Sequence, residues 1–161
     1  MVAPLTALVR EVPGTLPAAL ARHPQPLDVG RARAQHAAYC AALEALGAVV
    51  VRLPADESQP DCVFVEDTAV AVPGRALITR PGAPSRRGEV TPVAEALRGL
   101  VEEVVQMRAP ATLDGGDVLR VGHVFFVGRS ERTNHEGVRA LRETFGLGGA
   151  RIVELPVPEG L

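Results

Sequence analysis

The chain has 161 residues, 47% of them hydrophobic and 22% charged, with a formal net charge of -2. That suits one soluble domain able to bury a core, and it excludes both a basic nucleic-acid binder and a disordered chain. No run nears the ~20 apolar residues of a membrane span, Met1-Val2-Ala3-Pro4 carries no signal-peptide pattern, and two cysteines support neither a disulfide scaffold nor a zinc motif, so a cytoplasmic α/β domain is expected.

In chain order, Ala7–Arg10 reads as a strand. Asp28 caps a helix that shows Val29, Ala32, His36, Cys40 and Leu43 on one face, and Val49–Leu53 reads as a second strand. Asp61, Glu66 and Asp67 then frame the apolar triplet Val63-Phe64-Val65. Thr68–Val72 and Ala76–Thr79 flank the turn pair Pro73-Gly74 and predict a hairpin. Ser85-Arg86-Arg87-Gly88-Glu89 follows, then a helical pattern at Val90, Val93, Leu97 and Leu100, then a strand in Val101–Met107.

The series recurs. Asp114-Gly115-Gly116-Asp117 precedes a second predicted hairpin, Val118–Val121 and Val124–Gly128 around Gly122-His123. Arg129-Ser130-Glu131-Arg132-Thr133-Asn134 leads to a helix over Asn134–Phe145, and Ile152–Leu155 reads as the closing strand. Corresponding pieces lie roughly 44 to 50 residues apart, the signature of a repeat or propeller architecture. Three strand–strand–helix–strand units are expected, the first degraded, over residues 5–60, 61–110 and 111–161. An open arc of such units leaves strand edges uncovered. Val157-Pro158-Glu159-Gly160-Leu161 carries no polar cap after the last strand, so the chain is expected to be part of a larger closed object. A complete three-unit domain is the other reading.

The polar residues gather at element ends. Carboxylates at equivalent points of successive repeats suit a hard metal ion, a planar cation held by bidentate pairs, or simple capping of turns. Arg86 and Arg132 stand about one repeat apart at two helix entrances, where two guanidinium forks fit a carboxylate. Acids for a cation and arginines for a carboxylate together describe a zwitterionic ligand such as arginine. Surface ion pairing is the plainer use of the same arginines.

Asp61–Asp67 (DCVFVED), Ile78–Glu89 (ITRPGAPSRRGE), Thr112–Leu119 (TLDGGDVL) and Phe126–Asn134 (FVGRSERTN) resemble the dimethylarginine dimethylaminohydrolase family. Arg33–Tyr39 (RAQHAAY) and Leu53–Ser58 (LPADES) add to the match, which is collinear from about Ala7 to Leu161. The resemblance implies a pentein fold, a five-bladed α/β propeller of ββαβ units, of which about three are present. It implies hydrolysis of Nω,Nω-dimethylarginine and Nω-monomethylarginine to L-citrulline and dimethylamine or methylamine. That reaction uses a Cys thiouronium intermediate, with no metal and no cofactor. Motif by motif, Asp114 falls on the carboxylate that orients the catalytic His, and Glu66 and Asp67 on acids facing the guanidinium. Asp61 falls near the α-amino group, and Arg86 and Arg132 on the α-carboxylate clamp. Leu20 falls on a lid loop that contributes a backbone contact.

The resemblance also marks a departure: the catalytic His and Cys are expected beyond Leu161. None of His23, His36, His123 and His135 matches the catalytic His; Cys40 reads as helix core and Cys62 as a strand thiol beside the substrate acids. The 161-residue chain alone is therefore expected to be inactive, with a homodimer or a second chain completing the propeller. The expected partner is a small-molecule substrate, with no nucleic acid and no membrane. The alternatives are an arginine deiminase-like hydrolase of the same fold, or a catalytically inactive binding or assembly module. The paired arginines disfavour agmatine, which lacks the carboxylate.

Overall fold

A computed structural model describes residues 5–157. The expectations placed on residues 1–4 and 158–161 lie outside the described residues. The chain forms two compact units, Met1–Val65 and Glu66–Leu161.

In the first unit, strand β1 (Thr6–Arg10) pairs in parallel with β2 (Val49–Leu53), from Thr6 opposite Val49 to Arg10 opposite Leu53. Parallel neighbours need a crossover, and helix α1 (Val29–Ala45) supplies it. Asp28 starts that helix: its side chain accepts from the Arg31 amide at 3.0 Å, satisfying one of the orphan N–H groups. Cys40 is buried on α1 and Val29, Ala32, His36 and Leu43 are partly buried, so the helix turns the anticipated face inward. Buried Arg10 donates to the Pro54 carbonyl at 3.1 Å and pairs with Asp56 at 3.4 Å. Ser58, through its hydroxyl and amide, holds the Asp56 carboxyl below the usual carboxylate range.

The second unit holds two three-stranded sheets of one plan. Strands β3 (Ala69–Val72) and β4 (Arg75–Ile78) form an antiparallel hairpin, and β5 (Glu103–Gln106) lies parallel to β4 after helix α2 (Val90–Arg98). Strands β6 (Val118–Val121), β7 (Val124–Arg129) and β8 (Arg151–Pro156) repeat this arrangement around helix α3 (His135–Phe145). Both hairpins turn on two residues, with Gly74 at φ 80° and Gly122 at φ 61°, a region where a Cβ is strained. Leu77, Met107, Leu113, Phe125, Val127, Val138, Leu141 and Phe145 form one core, with Phe125 and Phe145 stacked at 5.3 Å. No helix among the described residues is long and apolar enough to cross a membrane.

Among the described residues the first repeat holds a two-stranded sheet and no hairpin, the degraded strand–helix–strand copy expected. Two details differ from expectation. Helix α2 ends at Arg98, and the amides of Leu100 and Val101 both reach the Leu97 carbonyl; that tight turn swings Leu100 outward to 41% exposure. Cys62 sits in a turn rather than a strand, because its amide bonds back to the Gln59 carbonyl at 3.0 Å.

Candidate active site

In the second unit the two hairpin entrances come together. Glu66 and Asp67 lie on the 3-10 turn Val65–Thr68 before β3, and Asp114 immediately precedes the 3-10 turn Gly115–Asp117 before β6. The glycine pair makes this approach possible. A Cβ on Gly115 would stand 2.0 Å from the Glu66 carbonyl oxygen, and one on Gly116 would stand 2.6 Å from Asp67 Oδ1. Without those atoms, the Gly116 amide donates to Asp67 Oδ1 at 2.9 Å.

Asp67 and Asp114 each then meet an arginine. Arg86 lies on the 3-10 turn Pro84–Gly88 leading into α2, and it is 2% exposed. Its Nη1 reaches Asp67 Oδ2 at 2.5 Å. Glu89, three residues on and equally buried, takes Nε at 3.1 Å and Nη2 at 2.8 Å. Burial pulls the guanidinium pKa down, but Glu89 and then Asp67 overcome that pull, and the net shift is upward. A buried charge persists when it is paired and hydrogen-bonded in this way.

Asp114 is 4% exposed. Its Oδ1 accepts the Gly82 amide at 2.9 Å, and its Oδ2 pairs with Arg132 Nη1 at 3.2 Å. Burial pushes its carboxyl above the usual range, Gly82 pulls it back, Asp67 adds to the rise and Arg132 opposes it. Gly82 packs so closely that a Cβ there would stand 2.4 Å from the Arg132 Cα. Arg132 itself comes from the loop between β7 and α3, with 43% of its side chain exposed. Its guanidinium is the accessible cation of the group, and Arg86 is the enclosed one.

In the first unit, the Leu20 amide donates to both oxygens of buried Asp61, at 3.0 and 3.3 Å. The structure therefore joins Leu20 to Asp61, Asp67 to Arg86, and Asp114 to Arg132. Glu66 is exposed. Among the described residues no group of three or more His, Cys, Asp and Glu is arranged to hold a metal ion. Asp67 and Asp114 are engaged by guanidinium and amide donors instead. Glu89 and Asp117 carry no separate role in the sequence reading, although Glu89 stands one helical turn from Arg86, the spacing at which side chains meet.

A family model for N,N dimethylarginine dimethylhydrolase, eukaryotic, matches residues 23–154. The N(G),N(G)-dimethylarginine dimethylaminohydrolase of Streptomyces coelicolor is 45% identical over 157 residues, which is 96% of this chain and 61% of that protein. The enzyme of the same name from Pseudomonas aeruginosa is 42% identical over 127 residues, which is 76% of this chain and 50% of that protein. The chain thus spans less than two thirds of the length of either relative. A structure of the Pseudomonas aeruginosa protein, a Cys-to-Ser mutant complexed with citrulline, superposes with a TM-score of 0.93 at 34% identity, covering 98% of this chain and 62% of that one. The N-terminal domain of ArgZ, a cyanobacterial arginine dihydrolase, superposes with a TM-score of 0.82 at 15% identity, covering 97% and 59%, and shares the fold.

Proposed function

The chain belongs to the dimethylarginine dimethylaminohydrolase family, and from that premise we propose that it carries the substrate-recognition part of an Nω-methylarginine hydrolase with a pentein propeller. The observation that carries this reading is the Asp114–Arg132 pair: a buried carboxylate with a raised pKa, bonded to a half-exposed guanidinium. Such a group suits a ligand that is itself a carboxylate at one end and a guanidinium at the other.

In the proposed reaction Arg86 and Arg132 bind the substrate α-carboxylate, and Asp61 with the Leu20 backbone takes the α-amino group. Glu66 and Asp67 face the cationic guanidinium. A cysteine thiolate attacks the guanidinium carbon, a histidine oriented by Asp114 protonates the departing dimethylamine, and a thiouronium ester remains. Water, deprotonated by the same histidine, attacks that carbon; the C–S bond breaks and citrulline leaves with the thiolate regenerated. The chain's own thiols suit this role poorly, since Cys40 and Cys62 are 2% and 1% exposed. The resemblance places the nucleophile and the histidine in the part of the family's length that this chain does not span.

The products test this reading. The full-length protein should release citrulline and dimethylamine in equal amounts from Nω,Nω-dimethylarginine, and little ammonia from arginine. Ammonia from arginine with no dimethylamine would establish a deiminase instead. Binding of dimethylarginine without either product would leave a binding module.

A further inference from the structure

Asp117 ends the 3-10 turn Gly115–Asp117, and the reaction above makes no use of it. Its Oδ2 accepts two hydroxyl hydrogen bonds, from Ser130 Oγ at 2.7 Å and from Thr133 Oγ1 at 2.5 Å. A hydroxyl has one proton to donate. Having given it to Asp117, each oxygen faces its other neighbours as an acceptor. Ser130 Oγ accepts from the Arg132 amide at 3.0 Å and the Thr133 amide at 3.2 Å. Thr133 Oγ1, on a residue 1% exposed, accepts from the Asp114 amide at 3.2 Å.

One carboxylate oxygen thus sets the polarity of two relays, and they end on the backbone of both members of the Asp114–Arg132 pair. We infer that Asp117 is the positioning residue that holds Asp114 and Arg132 in register, tying the start of β6 to the loop between β7 and α3 through Thr133 and Ser130. Its consequence for turnover rests on the function proposed above; the network itself does not, and it is read without substrate.

Asp117→Asn replaces a charged acceptor with a neutral one and weakens the two hydroxyl hydrogen bonds that set the relays. Amide hydrogen exchange at Asp114 and Arg132 should then quicken roughly tenfold, the scale of one lost hydrogen bond, while amides of β7 and β8 keep their protection. Thr133→Val should quicken Asp114 and leave the Arg132 amide protected, and Thr133→Ser should restore Asp114. A carbon-13 titration of Asp114 adds a readout of opposite sign. The charges facing this carboxyl are Arg132 from the β7–α3 loop and Asp67 from the turn before β3, beside the Gly82 amide. Loss of the Asp117 charge alone would move the Asp114 midpoint down, whereas a loosened Arg132 moves it up. The inference expects the upward shift. Unchanged exchange at both amides, or a downward shift, overturns it. If Asp117→Asn does not fold, equal Asp114 exchange in the Thr133→Val and Thr133→Ser proteins overturns it as well. A protein that releases no citrulline leaves these outcomes standing and counts against the catalytic reading only.

Discussion

Burial raises the Asp114 carboxyl above the ordinary carboxylate range against the pull of Gly82 and Arg132, so the folded protein holds a proton there more readily than the unfolded chain. The contribution of this carboxyl to stability then falls as pH rises from the unfolded value near ~3.9 to the raised folded one, and stays level above it. Asp114→Asn removes that slope while keeping an acceptor for the Gly82 amide. Urea unfolding of both proteins across acid pH should show the wild type losing stability relative to the variant within that window. A flat difference would mean that Asp114 titrates normally. The two arginines separate in the same manner. Arg86→Ala strands the buried carboxylate of Glu89 beside Asp67 and should cost about 3–5 kcal/mol of folding stability. Arg132→Ala removes the exposed partner of buried Asp114, which keeps the Gly82 amide, so it should cost less stability than Arg86→Ala, and it should raise KM about 10- to 100-fold. That Asp67, Asp114, Arg86 and Arg132 stand at matching hairpin and helix entrances was readable in the sequence, because they recur with the repeat. Their partners were not, since spacing in a short 3-10 turn does not say which way the Arg86 side chain points, and it points inward to Glu89.

At the scale of elements, the hairpins were readable because Pro73-Gly74 and Gly122-His123 interrupt β-branched runs, and α3 because a capping residue precedes a clean apolar period. Asn134 does more than the cap rule requires. Its Oδ1 accepts from the Gly137 amide at 2.8 Å and from the Thr112 amide at 3.0 Å, and its Nδ2 donates to the Pro110 carbonyl at 2.9 Å. It pins the start of α3 to the strand-side segment that leads into Asp114. Asn134→Ala should therefore exceed the ~1 kcal/mol of an ordinary cap, reaching about 2–3 kcal/mol by thermal unfolding. A loss no larger than a simple cap's would show that the Thr112 and Pro110 bonds contribute nothing. Leu100 and Cys62 escaped the sequence reading for one reason: local backbone hydrogen bonds, to Leu97 and Gln59, ended the periodic element earlier than side-chain patterning suggested.

At the scale of the whole molecule, the repeat was readable in the second unit, where two sheets follow one ββαβ plan, and less so in the first, where β1 and β2 pair without a hairpin. The family match extends over residues 23–154, and the chain spans 61% of its Streptomyces coelicolor relative. The proposed role of these residues is to recognise a methylated arginine for hydrolysis, with Asp114 orienting the catalytic histidine. Citrulline release from Nω,Nω-dimethylarginine by the full-length protein, compared with its Asp114→Asn variant under conditions where both are folded, tests it most directly. The wild type should turn over, and the variant should fall by roughly 10²–10⁴-fold. Equal citrulline release by the two proteins would contradict it.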